Sequence, residues 1–141
     1  MTDLAFNINS LKVRMKLSEM DKVLPSFKVE MNITISHPTG EFTYSANDLW
    51  FECCNWDVFT ERIASITDKD DAIILNSMSE EFILKLSVND ISIMIKEMSF
   101  YGFPTQLNHT RGITRDDFGI MKNAFLDFDR WWQNDVTPSR E

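Results

Sequence analysis

The side chains able to serve as nucleophile, base or soft metal ligand are few: Cys53, Cys54, His37 and His109. Together they offer two sulfurs and two imidazoles, nominally a zinc set. No pair among them has the C-x₂₋₄-C or H-x₃₋₅-H spacing that zinc sites use. Pairing Cys54 with either histidine would give a thiolate and its base, and Cys54 stands where a helix is expected to start, a position that lowers thiol pKa. Against this, alternation from Leu49 places Leu49, Phe51 and Cys53 on one strand face, so one thiol reads as core. Adjacent cysteines strain any ring they close, and no spaced pairs form a disulfide framework. Both thiols are therefore expected to be reduced and unliganded.

The sequence contains no G-x-S-x-G, G-x-x-x-x-G-K-[ST] or G-x-G-x-x-G, the usual signs of acyl transfer and nucleotide binding. Carboxylates are plentiful, but their spacing does not separate an acid/base pair from a solvated face. The expectation is a protein that is not an enzyme and has no catalytic, metal or cofactor site.

Charge is more informative. Across 141 residues, 14 basic stand against 22 acidic side chains, a net −8 at pH 7. That balance disfavours nucleic acid and anionic membranes, both of which select clustered Lys and Arg. It suits a basic protein partner. The excess is local. Residues 1–38 carry Lys12, Arg14, Lys16, Lys22 and Lys28 against Asp3, Glu19, Asp21 and Glu30, a net of +1. Residues 41–71 carry Glu41, Asp48, Glu52, Asp57, Glu61, Asp68, Asp70 and Asp71 against Arg62 and Lys69, a net of −6. These eight carboxylates, with Trp50 as an outward aromatic anchor, are the expected partner-binding residues. Asp57 and Glu61, four apart on a helix, are expected on its solvated side.

These residues must be positioned by elements legible from periodicity. Leu11, Val13, Met15 and Leu17 alternate with Lys12, Arg14 and Lys16, and Phe27, Val29, Met31, Ile33 and Ile35 repeat the pattern, as half-buried strands do. His37-Pro38-Thr39-Gly40 is a turn, so residues 27–46 read as a hairpin. Alternation then changes phase, which implies a bulge or corner at Ala46–Asp48 before the strand Leu49–Cys53. Asn55 is the expected N-cap of a helix whose face is Trp56, Phe59, Ile63 and Ile66. Asp68-Lys69-Asp70-Asp71 ends it. Strands at Ala72–Asn76, Phe82–Val88 and Ile91–Met98 follow, and 99–113 reads as a loop. Thr114 caps a long helix to Trp132, with the seam Phe118, Met121, Phe125, Phe128 and Trp132.

The fold class is thus α+β: an antiparallel sheet, able to fold into two layers, with one short helix and one long C-terminal helix. One domain spans 1–141, with 1–10 and 134–141 expected as flexible termini. Met1-Thr2-Asp3-Leu4 lacks the basic and apolar regions of a signal peptide, and no apolar run reaches the ~20 residues of a membrane span. A cytoplasmic location is the default.

The order of elements carries a resemblance. An N-terminal hairpin precedes the strand Leu49-Trp50-Phe51-Glu52-Cys53, then Trp56-Asp57-x-Phe59 opening a helix, then alternating strands and an aromatic C-terminal helix. Over residues 11–132 this resembles the WapI-type immunity proteins of bacterial polymorphic-toxin systems. The resemblance implies non-covalent neutralisation of a cognate toxin, a nuclease-type domain being a natural basic partner, with no catalytic residues to transfer. The basic N-terminal strands depart from that picture. Two other readings remain open: a ligand-binding protein or enzyme with a pocket between sheet and C-terminal helix, and a structural subunit that forms homo-oligomers through that helix.

Overall fold

Period-two alternation dictates most of the architecture. The computed structural model describes residues 3–67, 71–98 and 104–134. The expected loop centre at 68–70, the segment 99–103 and the tail from 135 onward lie outside them. A first meander pairs β1 (Asp3–Ile8), β2 (Leu11–Asp21), β3 (Ser26–His37) and β4 (Gly40–Glu52) in sequence order. Helix α1 (Cys53–Ser65) leads to a second meander of β5 (Ile73–Asn76), β6 (Phe82–Leu86), β7 (Asp90–Met98) and β8 (Pro104–Gly112). Helices α2 (Arg115–Asp127) and α3 (Trp131–Asn134) close the chain. Every strand pair is antiparallel, and the α+β class stands as expected.

The inward side chains of both sheets and the apolar faces of α1 and α2 meet in one core. Its centre is aromatic. Trp56 of α1, fully buried, touches Phe27, Phe51, Phe125 and Phe128 with ring centroids 5.0–5.5 Å apart. Trp132 stacks on Phe27 at 5.0 Å. The space between the first sheet and the C-terminal helices is therefore filled by rings in contact. The seam Phe118, Met121, Phe125 and Phe128 is buried in its own chain, leaving Ile120 and Leu126 as the exposed apolar residues of α2.

Four expectations are corrected. Residues 3–10 are not part of a flexible terminus: Leu4, Phe6 and Ile8 are buried, and β1 pairs along β2 from Asp3↔Lys16 to Ile8↔Leu11. Six residues suffice because β2 supplies the ladder and α2 packs along β1. Residues 104–112 of the expected loop form β8, whose inward positions hold Leu107, His109 and Arg111 rather than an apolar triplet, so its alternation was hidden. The long C-terminal helix is broken. Phe128 adopts an extended conformation after α2, and a separate turn, α3, brings Trp132 back onto Phe27.

Asn55 is not the N-cap of α1. Helix α1 begins three residues earlier, at Cys53, and its N-cap, Glu52, makes no side-chain cap. The Cys53 N–H instead donates to the Pro25 carbonyl at 3.0 Å, so the β2–β3 turn satisfies one of the unpaired donors of the helix end. The Asn55 amide donates to Asn76 Oδ1 at 3.3 Å, tying α1 to β5. Thr114 caps α2 as expected, in a reciprocal capping box with Asp117.

At the far end the sheets are joined by Arg111. Its guanidinium donates to the Ile8 carbonyl (3.4 Å), Ser10 Oγ (3.2 Å) and His109 Nε2 (3.2 Å). The last bond requires a neutral imidazole. Burial, reinforced by the charges of Arg111 and His37, holds the His109 pKa below the ordinary value of 6.5. The folded state therefore binds fewer protons than the unfolded one, so stability is complete above the unfolded pKa and is lost as pH falls through it towards the folded value. Urea midpoints of the wild type are expected to fall between pH 7 and pH 5 more steeply than those of His109→Gln, which keeps a neutral acceptor. Parallel pH profiles for the two proteins would refute this account of the seam.

Candidate protein-binding surface

The residues offering chemistry are held apart. Val29↔Leu49 and the rest of the β3–β4 ladder run from Ser26↔Glu52 at one end to His37↔Gly40 at the other. At about 3.3 Å per residue that ribbon is roughly 35 Å long. Cys53 and Cys54 follow Glu52, whereas His37 ends β3 at the opposite end, and the His37 charge acts on His109. No Cys–His pair is brought together. Cys53 is buried, and burial, with the Asp57 charge second, pushes its thiol up to about 11, so it stays protonated at neutral pH. Cys54 is exposed. Among the described residues, no three side chains of the His, Cys, Asp and Glu types converge as a metal site would require.

The expected acidic patch is likewise divided. Glu41 sits at the β3–β4 turn, where it accepts from Ser36 Oγ at 3.3 Å, a full strand length from Glu52. Asp68 and Asp70 lie outside the described residues, and Asp71 is exposed just before β5. Glu61 is exposed and 3.8 Å from Arg130.

Asp57 departs from expectation most. It is not on a solvated face: its side chain is 23% exposed and accepts from Arg130 Nη1 at 3.0 Å and from Trp132 Nε1 at 2.9 and 3.0 Å. The carboxylate thus fastens the segment after α2 to α1 and orients the indole that stacks on Phe27. Helical spacing from Trp56 and Phe59 assigned Asp57 to the outside, since α3 arrives from a distant part of the sequence.

Three of the expected residues do come together. At the α1 end of β4, Asp48, Trp50 and Glu52 belong to the outer side of the first sheet. Two elements that periodicity did not implicate complete this surface. One is the β2–β3 turn, where Asp21 Oδ1 accepts from the amides of Val23 (3.0 Å) and Leu24 (3.3 Å), and Ser26 Oγ donates to the Leu24 carbonyl at 2.7 Å. These bonds fix a turn that presents Val23, 96% exposed, and Leu24, 52% exposed. The other is the β5–β6 turn, anchored where the Met78 N–H donates to the Trp50 carbonyl at 2.8 Å. Between the two turns lies a hollow of about 250 Å³ lined by Asp21, Leu24, Ser26, Asp48, Trp50 and Met78, with Ser79. Lys28, the cross-strand neighbour of Trp50, is held by Glu19 at 3.0 Å, and that hydrogen bond raises its pKa.

The missed residues had a signal. Val23-Leu24-Pro25 puts two apolar side chains into a connection between strands, where polar turn residues are usual. Comparison with protein-family models, curated proteins and solved structures found no match.

The Asp57 clamp sets a clear expectation for stability. Asp57→Ala removes hydrogen bonds from a guanidinium and an indole and should cost about 2–3 kcal/mol in urea unfolding. Trp132→Phe, which keeps an aromatic ring but loses the N–H and part of the indole area stacked on Phe27, should cost about 1–2 kcal/mol, and the two changes together should fall short of additive. A loss below about 0.5 kcal/mol for Asp57→Ala would return this carboxylate to the solvated face.

Proposed function

We propose that this chain is a protein-binding protein that acts by non-covalent docking, and that it neutralises a cognate bacterial toxin as an immunity protein. The observation that carries the reading is the surface around Trp50. A half-buried tryptophan, flanked by the exposed apolar residues Leu24, Val23 and Met78 and by the carboxylates Asp21, Asp48 and Glu52, has the composition of a binding hot spot. Hydrogen bonds from turn amides to the Asp21 carboxylate and the Trp50 carbonyl fix the turns that carry it, so little ordering entropy is lost on binding. The net charge of −8 favours a basic partner, of which a nuclease toxin domain is one kind. The resemblance in element order to WapI-type immunity proteins points to the same role.

Two kinds of side chain divide the work within this reading. Trp50 and Leu24 supply buried apolar area and govern dissociation. Asp48 and Glu52 steer encounter and govern association.

The test is co-expression with the toxin domain encoded beside the gene for this chain, followed by binding kinetics on the purified pair. Wild type should rescue growth. Trp50→Ala should speed dissociation tenfold or more, at about 2 kcal/mol for a hot-spot residue, while Glu41→Lys, at the far end of β4, leaves binding unchanged. Asp48→Lys should slow association and flatten its salt dependence. Absence of rescue by wild type would overturn toxin neutralisation. Full-affinity binding by Trp50→Ala and Leu24→Asp would overturn the choice of surface.

A further inference from the structure

The hollow at Trp50 has a chemical bias that goes beyond general stickiness. Its volume, about 250 Å³, is below the 300–1,000 Å³ typical of small-molecule pockets, so it suits a single side chain. Trp50 contributes an aromatic surface, Leu24 and Met78 contribute aliphatic walls, and Asp21 and Asp48 contribute carboxylates to the lining. Of the two Asp21 oxygens, Oδ1 receives the turn amides, which fixes the group at the mouth of the turn. Of the cations on this side, Lys28 is bound to Glu19 at 3.0 Å, while its charge also acts on Asp48.

We propose that this hollow is the seat for one arginine of the protein partner. The inference rests on the reading of this face as an interface. A guanidinium is planar and weakly hydrated, stacks on an indole face and offers its N–H groups to carboxylates at the edge. Its three-carbon stem needs apolar walls, which Leu24 and Met78 provide. A lysine would meet the same charges but stack less well. An uncharged apolar side chain would desolvate Asp21 and Asp48 and leave Asp21 only its turn amides and Asp48 only the Lys28 charge to offset that cost. Charge complementarity therefore selects arginine over an aliphatic anchor.

The probe is the capped tripeptide acetyl-Gly-Arg-Gly-amide, with its citrulline and norleucine analogues as controls, titrated into the full chain by NMR. Trp50→Phe assigns the Trp50 indole resonance. The arginine peptide should shift the Trp50 indole and the Leu24 and Met78 methyl signals saturably in the millimolar range, as one cation–π contact with flanking charges would give. The citrulline and norleucine peptides should bind about fivefold more weakly or worse, and half-molar salt should weaken only the arginine peptide. Asp48→Asn should weaken it about threefold, and this variant remains informative where Asp21→Asn loosens the turn. Equal affinity for the citrulline or norleucine peptide, or shifts confined to another surface, would overturn the proposal. The outcome is independent of any toxin. Arginine binding here without rescue of growth would overturn toxin neutralisation alone, and rescue without arginine binding would overturn the seat alone.

Discussion

One extra residue in β4 determines both the core and the outer surface around Trp50. Val29 pairs with Leu49 but Met31 pairs with Ala46, so Asn47 and Asp48 together stand opposite Glu30. Before this bulge, the inward positions of β4 are Phe42, Tyr44 and Ala46; after it they are Leu49 and Phe51. A strand has period two, so without the inserted residue every later side chain would exchange faces. Trp50 would then enter the core, and Phe51 would leave the ring cluster it makes with Phe27, Trp56 and Phe82. Burying a large aromatic contributes on the order of 2–3 kcal/mol, so the phase change is strongly enforced by the core alone. The outward indole is a consequence of it.

The remainder of the fold holds that consequence still. The Pro25 carbonyl receives the first N–H of α1, and the Trp50 carbonyl receives the Met78 N–H, so both walls of the hollow are bonded to the β4–α1 corner. The corner is held from inside by Trp56, and α1 is held in turn by Asp57 reaching Arg130 and Trp132. A chain of backbone bonds and ring contacts thus runs from the last described helix to the Trp50 surface. Removing the Asp57 carboxylate would act on that surface only through the position of α1, which separates a stabilising role from a contact role.

Much of this was legible in the sequence. The first sheet from Leu11 to Phe51, the phase change at Ala46–Asp48, the short apolar strands of the second sheet and the capping of α2 by Thr114 all follow from local spacing, and the structure agrees. What escaped depends on contacts between remote segments. β1 is a strand because β2 and α2 cover it, β8 hides its inner face behind His109 and Arg111, and α1 starts at Cys53 because a turn 28 residues earlier offers a carbonyl. Of the expected binding residues, Asp48, Trp50 and Glu52 share a surface. Glu41 is placed at the far end of the ribbon, and Asp57 is drawn inward by side chains more than 70 residues away. A run of charges along a sequence does not establish a patch in space.

The charge pattern of the first sheet would limit how the proposed basic partner can approach. Lys12, Arg14 and Lys16 alternate outward along β2, with Arg14 paired to Asp3 at 3.1 Å, whereas Asp48, Trp50 and Glu52 occupy the α1 end of β4. A uniformly acidic face would attract a basic partner in many orientations. For the basic partner proposed above, the outward Lys12, Arg14 and Lys16 would be repulsive over one part of the sheet and would favour approach at the corner between the β2–β3 and β5–β6 turns. Val23 protrudes at that corner, flanked by Asp21, Lys22 and Pro25, residues that discourage pairing with a stray strand while leaving the apolar side chain available. Repulsion and exclusion contribute to selectivity as much as attraction does. The basic strands that depart from the simplest acidic-inhibitor picture would, for the proposed basic partner, orient it towards Trp50.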